Sequence, residues 1–149
     1  MARRDKPPRR RPDQPPPSER AKRPAESNTQ AKASISFEYY ETGGAYCLSQ
    51  YNSDQVRSFL DGLRKISERT WQQLIEGASR NPAMKTGLNP TRYARSDLRN
   101  PDMWPTRLSQ ELTHVIGMRA TDRRRVFGVR VDQVFYVLWF DEDHGIVAG

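Results

Sequence analysis

The chain is poor in cysteine, in histidine and in long apolar runs. Cys47 is the only cysteine among 149 residues, which excludes an internal disulfide framework and a cysteine-built zinc site. A reducing, cytoplasmic setting is the expectation that follows. The longest apolar run, Val134–Phe140, has seven residues and is too short to span a bilayer. The charged N-terminus leads into prolines rather than an apolar stretch, unlike a secretory signal, so no membrane partner is expected. Only His114 and His144 offer imidazoles, the side chain suited to proton transfer near neutrality. No Gly-rich phosphate loop, Gly-x-Ser-x-Gly elbow or His-Glu-x-x-His motif occurs, and no small-molecule cofactor is expected.

A mean hydropathy of −0.91 with 35% hydrophobic residues averages two regimes. Residues 1–35 hold 7 of the 11 prolines and 10 Lys or Arg against 4 Asp or Glu. The remaining 114 residues carry 15 basic and 14 acidic groups, so the pI of 9.9 belongs to the arm. Residues 1–33 therefore read as a disordered Pro/Arg-rich arm with little apolar area to offset chain entropy. Such an arm serves either as a solubilising linker or as a basic tether for polyanions. Nucleic-acid binding by the domain, residues 34–149, has to rest on local clustering of charge.

Within the domain, Ile35, Phe37 and Tyr39 alternate with polar or outward positions, the pattern of a half-buried strand. Thr42-Gly43-Gly44 can turn the chain, with 45–51 returning as a hairpin partner. Val56, Phe59, Leu60, Leu63 and Ile66 then recur at helical spacing. Thr70 followed by Gln73 is a capping-box pattern that starts a second helix covering the same core with Trp71, Leu74 and Ile75. Gly77 is placed to end it. Three Asn-Pro pairs and Trp104-Pro105 make residues 78–112 a looped insertion with short helical pieces at most.

Regularity returns with strands at 114–119, 124–131 and 134–140, joined by a turn at 120–123. Phe127, Val129 and Val131 share one face of the middle strand, and Arg124, Val126, Gly128 and Arg130 the other. The last strand is apolar on both faces, as for a central strand covered on each side. The expected class is α+β: an N-terminal strand or hairpin, a helical hairpin, and a C-terminal antiparallel strand meander.

The chemistry concentrates in the last thirty residues. Arg119, Arg124, Arg125 and Arg130 are candidate phosphate clamps, because guanidinium pairs bidentately with phosphate oxygens. Arg123 adds charge at the same turn. The plain alternative is a solvated basic hairpin that discourages edge aggregation. His144 is the candidate proton-transfer group, with Asp141 or Asp143 placed to orient it; equally, Asp-Glu-Asp-His-Gly reads as a polar turn. His114 shares a face with Ile116 and Met118 and reads as a half-buried structural histidine. Tyr93, between Arg92 and Arg95, is a candidate base-stacking residue. Asp141, Asp143 and His144 find no second ligand cluster, so no metal site is expected.

On these residues the chain resembles the RelE/ParE-like toxin superfamily over roughly 34–147. Ile116-Gly-Met-Arg119, a short turn, Arg125-Val-Phe-Gly128 and Phe135-Tyr-Val-Leu-Trp-Phe140 look like the last three strands of that family. The resemblance implies a small toxin-type endoribonuclease, metal-independent and ribosome-dependent, held inactive by an antitoxin protein and acting on RNA or the ribosome. Carried over, Arg119 corresponds to a strand arginine on the scissile phosphate and Arg125 to a second one. His144 falls where some members place a catalytic residue. Arg123, Arg124, Arg130 and Tyr93 are candidate RNA contacts on their own chemistry, beside those the resemblance supplies. Two other readings stay open: a non-catalytic interaction or nucleic-acid-binding module, and a gyrase-directed toxin.

Deleting residues 1–33 is expected to leave the unfolding midpoint nearly unchanged while weakening RNA binding at low salt. A large drop in thermal stability would show that the deleted segment packs on the domain.

Overall fold

A computed structural model describes residues 30–77, 87–121 and 123–147. Most of the basic arm and residues 78–86 of the expected insertion lie outside them. The described chain runs β1 (Ser34–Ser36), α1 (Ser53–Ser67), α2 (Trp71–Gly77), β2 (Thr91–Ala94), β3 (His114–Thr121), β4 (Arg124–Val131) and β5 (Val134–Asp141). Single 3-10 turns lie at Leu48–Gln50, Arg95–Asp97 and Pro101–Met103. The architecture is α+β, built on one five-stranded mixed sheet in the order β1-β5-β4-β3-β2. No helix among the described residues is long and apolar enough to cross a membrane.

The sheet centre follows from the alternation in β3, β4 and β5. β4 pairs antiparallel with both neighbours, and β5 also takes β1 in parallel, so β5 lies inside the sheet. Its apolar run feeds two cores. Phe135, Val137 and Phe140 pack under the helices, while Tyr136, Leu138 and Trp139 pack on the opposite face. Strict alternation would send Leu138 and Trp139 to different faces. A register shift opposite Phe127 and Gly128 absorbs one residue of β5 and keeps both on one side. Gly128 allows the close approach this requires, since a Cβ there would lie 2.3 Å from the Tyr136 carbonyl oxygen.

One face is covered by α1 and α2. α1 begins with a reciprocal cap, the Asn52 side chain accepting from the Gln55 amide and the Gln55 side chain from the Asn52 amide. The Thr70–Gln73 pair caps α2 in the same reciprocal way. Phe59, Leu63, Ile66, Trp71 and Leu74 are buried, as their spacing implies, but Leu60 is 49% and Ile75 53% exposed. These two fall on the outer flank of their helices, so the apolar stripe is narrower than the sequence pattern. Gly62 brings α1 against β3; a Cβ there would sit 2.6 Å from that of Ala120.

The N-terminal hairpin expected from alternation does not form. β1 stops at Ser36, and a turn closed by the Tyr40 amide on the Phe37 carbonyl follows. That turn leaves Phe37 exposed and sends Tyr39 and Tyr40 toward opposite cores. Residues 45–51 form turns rather than a returning strand, because they serve the part of β5 that short β1 does not reach. The Phe140 amide donates to the Tyr46 carbonyl at 3.0 Å, and the Tyr51 hydroxyl donates to the Phe140 carbonyl at 2.6 Å. Ala33, assigned to the arm by composition, is 3% exposed and its amide donates to the Arg69 carbonyl. A truncation that spares residues 30–33 therefore isolates the arm better than one ending at 33.

The described part of the insertion is more ordered than its prolines imply. β2 pairs antiparallel with β3 as the sheet's edge, a strand that the sequence reading missed. Asn100 starts the 101–103 turn by accepting from the Asp102 amide, with Pro101 at the first helical position where its missing N–H costs nothing. Leu98, Trp104 and Leu108 are buried and close the second core. Residues of the described part of the insertion thus help to cover the sheet face opposite the helices.

Trp139→Ala is expected to cost about 3–5 kcal/mol by opening a cavity in that core, and to leave the domain unfolded or aggregating. Circular dichroism and thermal unfolding check this; a stable, folded variant would contradict the placement.

Candidate anion-binding site at the sheet end

The β3–β4 turn and the segment after β5 meet at one end of the sheet. Arg119 and Arg125 are directly opposed across β3 and β4. Opposed residues of an antiparallel pair share a face with Cβ atoms roughly 5 Å apart, so two like charges stand side by side. Arg125 is also opposed to Asp141 across β4 and β5. That acid is its natural counterion, yet no ion pair joins them within 4.0 Å.

The reason lies in the turn after β5. Asp141 is 1% exposed, and its carboxylate accepts from the amides of Asp143, Gly145 and Ile146 at 3.2, 3.1 and 3.2 Å. The carboxylate is spent on the loop backbone. Glu142 is held at 2.5 Å by Arg124 Nε, while Arg124 Nη1 also donates to Ser58 of α1 at 3.0 Å. Asp143 forms a looser, exposed pair with Arg123 at 3.8 Å. Burial works to raise the Glu142 pKa, but hydrogen bonds from Arg124 and Gln55 and the charges of Arg124 and Arg123 outweigh it and hold it below the ordinary glutamate value.

His144 is exposed and lies in the left-handed region, with φ of 59°. Its neighbours on both sides are fixed through Asp141, and the Tyr46 hydroxyl lies 2.9 Å from where a Gly145 Cβ would be. The loop therefore holds His144 by its backbone rather than by its ring. Neither Asp141 nor Asp143 orients the imidazole, because both are engaged elsewhere. Burial, and then the charge of Asp141, raises the Tyr46 phenol. The same causes push Tyr51 up to about 12, so both remain neutral beside the loop.

The remaining sequence candidates divide. Tyr93 joins the site: its hydroxyl accepts from Arg125 Nη1 at 3.0 Å and its ring packs on Phe127, with centroids 5.9 Å apart. Arg123 and Arg124 sit at the same end, each paired with an acid. Arg130 does not belong. It lies at the other end of β4 on the helix face, its guanidinium 4.4 Å from the Trp71 ring centroid and its Nε donating to the Asp132 carbonyl. Burial lowers its pKa, and its work is to fasten the β4–β5 turn to α2, where Trp71 also donates to the Gln133 carbonyl. His114 faces the β2 edge, with Nδ1 at 2.8 Å from the Thr113 hydroxyl and 3.2 Å from Arg92 Nη2. Arg92 can only donate, so Nδ1 acts as an acceptor there.

Sequence reasoning missed Asp141 as a backbone clamp, although an Asp followed two residues on by a bonded amide is a known turn device. It also missed the Tyr93–Arg125 contact, which depends on β2. Among the described residues no group of three or more His, Cys, Asp or Glu side chains is arranged to hold a metal ion. Comparison of the chain with protein-family models, with curated proteins and with solved structures finds no match.

Two outcomes are expected. Asp141→Ala strands three loop amides and should cost about 2–4 kcal/mol in denaturant unfolding. An unchanged midpoint would show that the loop does not depend on it. Glu142 has a depressed pKa in the folded state. Its stabilisation is thus complete above the unfolded-state value and is lost as pH falls through the lower folded one. Glu142→Gln should flatten the fall in stability below about pH 4.5; an identical acid limb in the variant would contradict this.

Proposed function

We propose that this chain binds a phosphodiester of RNA at the sheet end and cleaves it in the manner of a toxin-type endoribonuclease. The observation that carries the reading is the opposed pair Arg119 and Arg125, neither of which has a carboxylate within 4.0 Å among the described residues. Like charges directly opposed on a sheet are destabilising, and an anion between them would offset that cost, which supports the reading. A scissile phosphate gains charge in the transition state, where fixed guanidinium donors matter most. His144, on the loop beside the pair, is the group that moves a proton to or from a ribose oxygen.

This reading takes the domain as RelE/ParE-like, on the sequence resemblance over residues 34–147 and the compatible order of strand, two helices and antiparallel strands. An antitoxin protein is then the expected partner, and the ribosome the expected setting. A second reading, a nucleic-acid-binding module without cleavage, draws support from one observation: His144 has no orienting acid among the described residues.

The test is toxicity on expression together with cleavage of mRNA on purified ribosomes. Arg119→Ala should lower the cleavage rate by about a hundredfold or more. His144→Gln should lower it and flatten the pH–rate profile. Both variants should remain folded. A wild-type chain that binds RNA but neither cuts it nor is toxic would leave the binding module in place of the nuclease.

A further inference from the structure

The Arg119–Arg125 pair has a neutral neighbour whose position is informative. On the face that carries both arginines, β2 contributes Tyr93 opposite Val115, and β3 runs from Val115 through Gly117 to Arg119. The Tyr93 ring leans over Gly117, where a Cβ would lie 3.2 Å from Tyr93 Cε2 and 2.9 Å from Phe127 Cε1. Glycine at 117 thus admits two rings, and the room it leaves lets the Tyr93 hydroxyl reach Arg125 Nη1 at 3.0 Å. Arg125 Nε is buried and meets no acceptor among the described residues, so the phenol is the side-chain group that fixes the guanidinium.

A phenol holds an arginine differently from a carboxylate. It accepts a hydrogen bond without cancelling the charge, and it keeps a proton of its own. Because Arg125 can only donate, the Tyr93 oxygen uses a lone pair on it and the O–H remains to be given elsewhere. We propose that the Tyr93 hydroxyl is the third member of the anion site, donating to an oxygen of a tetrahedral oxyanion held between Arg119 and Arg125. The ligand chemistry is a phosphate group, carried by RNA or present as free inorganic phosphate. This rests on the reading of the arginine pair as a phosphate site, and it replaces base stacking as the role of Tyr93.

The experiment is titration of the full chain with inorganic phosphate and with a short single-stranded RNA, by calorimetry or NMR shift, at fixed ionic strength. Tyr93→Phe keeps the ring on Phe127 and Gly117 and removes only the hydroxyl, so the thermal midpoint should stay close to wild type. Affinity for both probes should fall about tenfold to a hundredfold, as for a lost hydrogen bond to a charged group. Tyr93→Phe should also weaken phosphate binding in an Arg125→Ala background, which separates direct donation from mere support of Arg125. An effect on RNA alone would locate the contact at a diester; an effect on both, at any phosphate. Full affinity in Tyr93→Phe with loss only in Tyr93→Leu would restore the stacking role and overturn the proposal. No further loss in the Arg125→Ala background would overturn direct donation. If Arg119→Ala binds both probes as wild type does, or if wild type binds neither, the site itself fails and Tyr93 with it.

Discussion

The buried carboxylate of Asp141 is the interaction on which the arginine-bearing end of the sheet depends. A charge at 1% exposure is costly unless it is fully hydrogen-bonded, and the loop amides of Asp143, Gly145 and Ile146 meet that need. The consequence is electrostatic as well as structural. Asp141 is opposed to Arg125 on the neighbouring strand, and a carboxylate turned toward the strand would neutralise it. Turned toward the loop, it holds the segment around His144 and leaves two opposed arginines without an acidic partner among the described residues.

The surrounding pairs follow the same division of labour. Arg124, Glu142 and Ser58 tie the loop and β4 to α1, and Arg123 pairs with Asp143 at the rim. Arg130 packs on Trp71 at the far end and serves the architecture. Of the arginines on β3 and β4, only Arg119 and Arg125 are left without a structural ion pair or an aromatic stack. Arg125 is instead steadied by a phenol, which restrains its geometry and preserves its charge.

The central sheet was legible because alternation reports burial directly. β3, β4 and β5 fall within two residues of the spans read from pattern, and the Thr70 cap starts α2 where its side chains imply. β2 was not legible: Thr-Arg-Tyr-Ala between a proline and a 3-10 turn has no alternation, and only its pairing to β3 makes it a strand. The 45–51 segment was misread because a two-residue period continues past Ser36 while the chain itself turns. At the site, the arginines and His144 were legible as residue types. The opposition of Arg119 and Arg125 was not, because it depends on the register of β3 and β4 and on the irregularity between Arg119 and Thr121. Nor was the diversion of Asp141, which needs the fold of the loop to be known.

The salt dependence of RNA binding tests the role of the arginine pair most directly. If Arg119 and Arg125 each meet a phosphate with an uncompensated charge, the double variant Arg119→Ala, Arg125→Ala should reduce the slope of log affinity against log salt by about 1.4 for single-stranded RNA, roughly 0.7 for each lost contact. The basic arm contributes equally to both proteins and leaves that difference intact. A slope unchanged in the double variant would mean that these charges do not meet the nucleic acid and that this end of the sheet is not a phosphate site.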